Sequence, residues 1–130
     1  MSAPFIFMTT HTIEEGNLDE YMRQDEKFAE FLEANEPDLT EYGVYISDDQ
    51  TEVTFMFVFP DAQAADTHMQ VAREKIGQGL EITKTPRLEV YGGTPGPVLG
   101  TVLAANAEMG VPLSIKPSLL NGFSRVPVKG

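Results

Sequence analysis

The chain has 130 residues, 42% hydrophobic and 22% charged, which is typical of one globular domain with a single core. Nine basic against twenty acidic residues give a net charge of −11, which disfavours binding to nucleic acid or to an anionic membrane. The lack of cysteine excludes disulfides, thiolate nucleophiles and sulfur-based metal sites. No apolar run approaches the roughly 20 residues that span a bilayer, and the N-terminal residues lack an export signal. We therefore expect a cytoplasmic protein with no membrane or nucleic-acid partner.

The first half of the chain predicts a strand, a helix and a β-hairpin. A β-branched and aromatic run predicts a strand over residues 5–12. Asn17, with Glu20 three residues later, has the pattern of a capping box, and Pro37 closes a helix that runs to about Ala34. The residues predicted on the inner face of this helix are Leu18, Tyr21, Met22, Phe28, Ala29 and Leu32. The runs LTEYGVYI and TEVTFMFVF, separated by SDDQ, then predict the hairpin.

The next segment predicts a second helix and a fourth strand. Asp61 is placed to cap the helix, and Gly77 to end it. The predicted inner residues are Ala62, Ala65, His68, Met69, Ala72 and Ile76. A strand over Arg87–Tyr91 follows a loop that contains Pro86. The order βαββαβ indicates an α+β, ferredoxin-like core with an antiparallel sheet over about residues 5–92.

Residues 93–130 form a C-terminal extension of the same single domain, which spans residues 1–130. The pattern predicts a helix over Val98–Met109, a short strand within VPLSIK and an extended tail, GFSRV. The prolines that favour an edge position for this part of the chain are Pro112, Pro117 and Pro127. In the tail, Phe123 and Arg125 are interpreted as packing residues, and the alternatives for Arg125 are a carboxylate contact or a contact with a partner subunit.

Both faces of the predicted sheet carry apolar residues. Val53, Phe55, Phe57 and Phe59 alternate with Thr54, Met56 and Val58 along one strand. In a βαββαβ fold the helices cover only one face, so the other face requires a separate cover. Two copies packed face to face about a two-fold axis would provide it, and we predict a homodimer. The alternative is a monomer in which residues 93–130 cover their own sheet.

Three segments are similar to one known family. They are PFIFMTTHTIEEGNLDEYMRQDEKFAEF, EPDLTEYGVYI and FMFVFPDAQAADTHM. Over about residues 5–91 the chain resembles the antibiotic biosynthesis monooxygenase family of dimeric α+β barrel proteins with a ferredoxin-like subunit. The matching features are a Gly-containing turn, a Glu-Pro pair, the hairpin and an Ala-rich helix start with a histidine. The matching positions are Gly16, Glu36, Pro37, Tyr42, Tyr45, Ala62, Ala65 and His68.

The resemblance implies a homodimer with an apolar pocket between the sheet and the helices of each subunit. Some members use this pocket to oxygenate phenols or quinols without metal or flavin, so the resemblance implies no cofactor. Other members degrade haem, and many have no established activity. This chain has no tryptophan, and His68 stands where the helix tryptophan of the haem-degrading type would fall. We therefore do not expect haem degradation.

The candidate catalytic residues are two histidines and two tyrosines. Oxygenation of a phenol without a cofactor requires a base to form the phenolate and donors to hold an oxyanion. We predict His68 as the base and His11, at the end of the first strand, as a second candidate. Tyr42 and Tyr45 are candidate donors, and only one of them can face the pocket because they take opposite faces of a strand. For all four residues, ordinary packing is the alternative.

Other chemistry finds little support in the sequence. His11, His68 and Asp66 are acceptable ligands for zinc or iron, but no motif joins them, so we predict no metal site. Two functions remain open. The first is a homodimer with an apolar pocket for a small aromatic or hydrophobic molecule, acting as a cofactor-independent monooxygenase. The second is a non-catalytic ligand-binding or structural homodimer of the same fold, with His68 buried and the aromatic residues filling the interior.

Overall fold

A computed structural model describes residues 3–72, 83–123 and Arg125. In chain order the elements are β1 (Phe5–Ile13), α1 (Leu18–Asn35), β2 (Glu41–Ile46), β3 (Glu52–Phe59), α2 (Ala62–Val71), β4 (Thr83–Tyr91), α3 (Pro97–Glu108) and β5 (Leu113–Lys116). Among the described residues, no helix is long and apolar enough to cross a membrane. The predicted positions of Ile76 and Gly77 lie outside the described residues.

The strands form one sheet in the order β2-β3-β1-β4-β5. The first four are antiparallel to their neighbours, as expected for a ferredoxin-like α+β core. β5 pairs with β4 in parallel, so the whole sheet is mixed and the antiparallel prediction holds only for the core. The cause is the connection through α3, because a helical crossover returns the chain in the same direction as the strand it left. β5 lies at the edge of the sheet, as its flanking prolines predict.

Asn17 occupies the predicted N-cap position of α1, but the predicted capping box and the inward position of Met22 are wrong. Asn17 precedes the helix but its side chain makes no capping hydrogen bond, because its backbone angles (φ −103°, ψ 4°) are not the extended ones a cap requires. Glu20 instead accepts hydrogen bonds from Arg23 and Gln24 on the helix surface. Met22 is exposed rather than inward, because each residue turns the helix by about 100° and Tyr21 takes the inner position.

The cap of α2 is confirmed. The Asp61 carboxylate accepts a hydrogen bond of 2.8 Å from the backbone N–H of Ala64. The four buried inner residues of α2 and its C-terminus are Ala65, His68, Met69 and Ala72, as predicted. This helix therefore presents His68 to the core.

β4 begins earlier than predicted and includes Pro86. The pairing of β1 with β4 shifts register between Thr10 and Thr12, so that Thr85 and Pro86 on β4 oppose the single residue His11 on β1, which marks a β-bulge in β4 at this proline. A bulge leaves a strand position unpaired, so a proline without an N–H group is tolerated there. The bulge lies opposite His11, whose ring is beside Thr85.

The two faces of the sheet differ in their cover. The helices pack on the face that carries Phe5, Phe7, Phe57 and Phe59. The opposite surface, here called the open face, carries four partly exposed apolar side chains: Ile6, Met8, Met56 and Val58.

The C-terminal extension does not cover the open face. α3 packs beside α2 and contributes Leu99 and Leu103 to the core on the helix side of the sheet. Residues 117–123 are exposed. Among the described residues, the extension therefore does not provide the cover that the monomer alternative requires.

Candidate functional site

The polar residues of the interior fall into two groups that aromatic rings separate. The first, here called the Phe55 cluster, comprises His11, Tyr21, Gln24, Asp25, Phe28, Tyr42 and Phe55. The second is a buried pair, Glu36 and His68. Both lie between the sheet and the helices, which is where the sequence predicts a pocket.

The Phe55 ring on β3 is the centre of the first group. Its centroid lies 5.5 Å from His11 on β1, 6.2 Å from Tyr42 on β2 and 6.4 Å from Tyr21 on α1. The ring of Phe28, which follows Tyr21 by two turns on the same face of α1, is 6.2 Å from that of Phe55. Phe28, Tyr42 and Phe55 are only partly buried, so the cluster is not sealed from the surface.

A carboxylate and two phenols share the α1 side of this cluster. The Tyr42 hydroxyl donates to Asp25 Oδ1 at 3.3 Å. Burial raises the pKa of Asp25, although the hydrogen bond from Tyr42 opposes this. Burial, together with the charge of Asp25, raises the pKa of both Tyr21 and Tyr42 well above the usual value. Both phenols therefore keep their protons at neutral pH and remain donors.

Two polar atoms of the cluster are buried without a partner in the described part of the chain. They are the Tyr21 hydroxyl and Gln24 Oε1. A buried polar group without a hydrogen bond costs about 1 to 3 kcal/mol. The cluster therefore contains hydrogen-bonding capacity that its own residues do not use.

His11 is held on both sides by hydroxyl groups. Its Nε2 lies 2.9 Å from Thr9 Oγ1, and its Nδ1 lies 3.1 Å from Thr85 Oγ1. Burial lowers the pKa of His11 to about 4, so the ring is neutral at physiological pH. A neutral imidazole with a hydrogen bond at each ring nitrogen is a weak base with a fixed orientation.

Glu36 and His68 form the second group. Glu36 Oε1 lies 2.7 Å from His68 Nδ1, and both side chains are almost fully buried. Glu36 Oε2 and His68 Nε2 have no hydrogen-bond partner among the described residues. The histidine ring packs 4.6 Å from Phe57 and 5.5 Å from Phe59. Aromatic side chains therefore fill the space on the inner side of His68.

A cleft of about 40 Å³ lies at this pair. Its lining residues are Asn35, Glu36, Pro37, Asp38, Leu39, Ala64, Thr67 and His68. A space of this size holds a water molecule, but an aromatic ring does not fit in it. This cleft therefore has no room for the aromatic ligand that the sequence predicts.

The structure brings two of the four predicted catalytic residues together. His11 and Tyr42 both contact Phe55. His68 and Tyr42 both pack against Phe57. The Phe57 ring therefore connects them. Tyr45 lies on the open face, where its ring approaches Gly43. Of the two hairpin tyrosines, Tyr42 is therefore the one that faces the helices.

Sequence reasoning missed several members of both groups. Glu36 was noted only as half of a Glu-Pro pair, and a glutamate is rarely buried unless it is paired. The signal was the inward histidine of α2, which needs a partner. Tyr21 was predicted as a core residue, whereas Gln24 and Asp25 were not singled out. Their spacing from Tyr21 places them near the inner face of α1 and was the available signal.

Asp66, a candidate metal ligand, has a different structural role. Its Oδ1 accepts a hydrogen bond of 2.8 Å from the backbone N–H of Leu99, and its Oδ2 accepts one from Val98. It thereby caps α3, and Gly96 gives the carboxylate room, since a Cβ there would lie 2.3 Å from Asp66 Oδ2. In the part of the chain that the structure describes, no group of three potential ligands is placed to hold a metal ion.

Comparison with solved structures places the chain among known folds. MupZ from Pseudomonas fluorescens is similar with a TM-score of 0.75 and 24% identity, over 96% of this chain and 91% of that protein. A putative antibiotic biosynthesis monooxygenase from Nitrosomonas europaea has a TM-score of 0.62 and 13% identity, over 74% and 97% of the two chains. A further antibiotic biosynthesis monooxygenase gives 0.60 and 14%, over 70% and 99%.

The chain has the fold of the antibiotic biosynthesis monooxygenases. The resemblance predicted from sequence is thus confirmed at the level of the fold. No family model matches the sequence, and no curated protein matches it either. The similarity to MupZ extends over nearly the whole chain, so it includes most of the C-terminal extension that follows the core.

Proposed function

We propose that the chain binds a small hydroxylated aromatic molecule at the Phe55 cluster and oxidises it with molecular oxygen. The observation that carries this proposal is the buried Tyr21 hydroxyl, which has no hydrogen-bond partner among the described residues and belongs to a ring 6.4 Å from the partly exposed ring of Phe55. A planar ligand would stack on or against Phe28 and Phe55, and its hydroxyl would pair with that of Tyr21. The names of the proteins that share the fold support the reaction class.

The residues of the cluster suit the roles that such a reaction requires. Asp25 is the proposed base, because its raised pKa makes the carboxylate a stronger proton acceptor than an exposed aspartate. Tyr21 is the proposed donor to the developing phenolate oxygen, since it keeps its proton and its hydroxyl has no partner among the described residues, whereas Tyr42 donates to Asp25 and holds the base in place. His11, neutral and fixed by Thr9, is proposed to orient the ligand rather than to take its proton.

The proposed reaction balances without a further reductant. Loss of the phenolic proton gives an anion that passes an electron to O₂, and the two radicals join at a ring carbon to form a hydroperoxide. Cleavage of the O–O bond and loss of the hydrogen on that carbon give a quinone and water. For 1-naphthol the sum is C₁₀H₈O + O₂ → C₁₀H₆O₂ + H₂O, in which the substrate loses the four electrons that O₂ gains.

We further propose that two copies pack through their open faces. Ile6, Met8, Met56 and Val58 leave a partly exposed apolar surface at the centre of this face. A two-fold axis would bury this surface against itself and complete a barrel. Tyr45, on the same face, then belongs to the contact between subunits instead of the ligand site.

A second candidate function is favoured by the surroundings of His68. This residue is 1% exposed and its ring is packed against phenylalanines, as in a filled interior. The same homodimer would then bind a hydrophobic ligand, or act as a structural module, without catalysis. In the first proposal His68 only packs against its neighbours. It can act as the base, as the sequence predicts, only if the aromatic rings that cover it move.

The test uses 1-naphthol with the purified full chain. Calorimetry measures binding, and an oxygen electrode with product absorbance measures turnover. We expect Asp25→Asn to lower the rate at least 100-fold, because a general base contributes about 10²- to 10⁴-fold. Tyr45→Phe, which removes a hydroxyl from the opposite face of β2, is the control and should leave binding and rate unchanged.

The outcomes separate the two functions. Binding and oxygen uptake that both depend on Asp25 support the enzyme. Binding without oxygen uptake overturns the enzyme and supports the non-catalytic ligand-binding protein. Absence of binding by 1-naphthol and by a hydroquinone overturns the ligand site itself. If His68→Asn abolishes turnover while the fold and ligand binding persist, the base is His68 and not Asp25.

A further inference from the structure

Opposite charges occupy matching positions at the two edges of the open face. Residues that pair directly between neighbouring strands point to the same face of a sheet, so the registers define rows across it. One row on the open face, here called the first row, consists of Lys116, Tyr91, Ile6, Val58 and Glu41. It begins with a lysine on β5 and ends with a glutamate on β2, and its central side chains are apolar or aromatic.

A second row repeats this arrangement of charge. Thr12 on β1 pairs with Lys84 on β4 and with Glu52 on β3, so a basic and an acidic residue flank the middle strand of the sheet. In both rows the basic residue lies on the β4–β5 side of β1, and the acidic residue lies on the β3–β2 side. A half-turn about β1 exchanges the two sides, so the charges of this face complement those of a second copy.

One acidic residue, Glu89, lies on the basic side of the open face, and its charge is balanced within its own copy. Its carboxylate accepts a hydrogen bond from the Tyr91 hydroxyl and lies 3.7 Å from Arg87 Nε. Glu89 therefore does not disturb the division of charge between the two sides.

The two charges that end the first row have no ionic partner in the described part of the chain. Glu41 and Lys116 are both exposed. Lys116 donates a hydrogen bond of 2.7 Å to the Ser114 hydroxyl, and its ammonium lies 5.5 Å from the centre of the Tyr91 ring, so the lysine lies over the open face. β2 and β5 are about 19 Å apart at four strand spacings, so Glu41 and Lys116 do not meet within one copy.

The orientation of two facing copies decides which charges meet. A two-fold axis that runs between the sheets along β1 keeps each row at its own level and places β5 over β2 of the second copy. Lys116 then faces the partner's Glu41, and Lys84 faces the partner's Glu52. An axis across the strands at the first row places each strand over its own counterpart, so that Lys116 faces the partner's Lys116. Both orientations bury the apolar centre, but only the first pairs opposite charges.

We infer that the two copies are related by an axis along β1 and that Lys116 of each copy forms an ion pair with the partner's Glu41. This inference rests on the homodimer proposed above. Facing sheets pack about 10 Å apart, a gap that the long side chains of a lysine and a glutamate span together. The dimer then has one such pair at each edge of an apolar centre. Because β5 lies outside the ferredoxin-like core, the C-terminal extension supplies the charge that fixes the orientation.

Charge reversal tests this pairing in the full chain. We expect Glu41→Lys and Lys116→Glu each to weaken dimerisation at least about tenfold at low ionic strength, because each change turns two attractions into two repulsions. Sedimentation equilibrium measures the dissociation constant, and circular dichroism checks the fold. The matched controls are Glu30→Lys and Lys27→Glu, which make the same changes of net charge on the exposed surface of α1. We expect both controls to dimerise as the unmodified chain does.

A double variant separates pairing between copies from a general effect of charge. Glu41→Lys with Lys116→Glu in one chain restores opposite charges only across the axis, because the two positions are too far apart to pair within a copy. We expect its dissociation constant to return to within about threefold of the unmodified value. An equimolar mixture of the two single variants should likewise form heterodimers, since each reversed charge then meets its opposite.

The outcomes distinguish failure of the pairing from failure of the dimer. If the unmodified chain is dimeric and the single variants dimerise like their controls, the pairing is wrong and the proposed dimer stands. Weaker dimerisation of the single variants without recovery in the double variant also overturns the pairing, because the two positions then do not face each other. If the unmodified chain is a monomer at all concentrations, the dimer itself is wrong, and the pairing falls with it.

Discussion

The Phe55 cluster and the Glu36–His68 pair lie in the same interior, but they differ in the hydrogen-bond partners that they provide for a histidine ring. His11 has a hydroxyl group at each ring nitrogen and lies beside partly exposed aromatic rings. His68 has a carboxylate at one nitrogen, no described partner at the other, and almost no exposure. The first histidine is partly exposed, whereas the second is buried. The histidine that sequence reasoning favours as a base is therefore the less accessible of the two.

The largest expected effect is on stability, at the buried pair. His68→Ala leaves the Glu36 carboxylate buried without its partner, which costs about 3 to 5 kcal/mol of unfolding free energy. Urea denaturation measures this loss. Gln63→Ala, on the exposed side of the same helix, is the control and should change stability by less than about 0.5 kcal/mol. A loss below about 1 kcal/mol for His68→Ala would mean that the pair is not sealed as described.

The lowered pKa of His11 makes the stability of the chain depend on pH. Its pKa of about 4 in the folded chain lies below the unfolded value of 6.5, so the unfolded state binds more protons between these values. Stability from this residue is therefore present above pH 6.5 and is lost as the pH falls toward 4. Between pH 7 and pH 5 the loss is about 2 kcal/mol.

His11→Gln isolates this contribution. Glutamine retains hydrogen-bonding groups but does not titrate, so its unfolding free energy should fall less between pH 7 and pH 5 than that of the unmodified chain. Carboxylates titrate in both proteins and cancel in the difference. Equal decreases in the two proteins would show that the pKa of His11 is not lowered by burial.

The smallest expected effect concerns the link between Tyr42 and Asp25. Tyr42→Phe removes the hydrogen bond to the carboxylate, which costs about 1 kcal/mol of stability. The same change should raise the pKa of Asp25 further, because that hydrogen bond lowers it. Carboxyl NMR titration measures the shift. An unchanged Asp25 pKa would mean that the two side chains do not interact in solution.

The fold was predictable from sequence to the extent that it depends on local periodicity. Alternation along β3 placed Phe55, Phe57 and Phe59 on one face, and the spacing in α2 placed His68 inward. The bulge opposite His11 and the strand position of Pro86 depend on pairing between β1 and β4. Such pairing joins distant residues and leaves no local pattern in the sequence. The parallel direction of β5 likewise depends on where α3 packs.

The candidate site was predictable only in part, for a similar reason. Tyr42 and His11 are residue types that suggest chemistry, and the structure places both against Phe55. Glu36 meets His68 across 32 residues, and Asp25 meets Tyr42 across 17. These contacts depend on how α1 lies across the sheet. A single sequence gives the inner face of a helix but not the residue opposite it.

The contact of Asp66 with the start of α3 limits how this protein can be shortened. The carboxylate ties α2 to the backbone of Val98 and Leu99, and only a residue without a side chain fits at Gly96. A version cut down to the size of the smaller proteins that share the fold would leave that carboxylate without the backbone of Val98 and Leu99 and remove Leu99 from the core. We therefore expect residues 1–92, expressed alone, to give an unstable product.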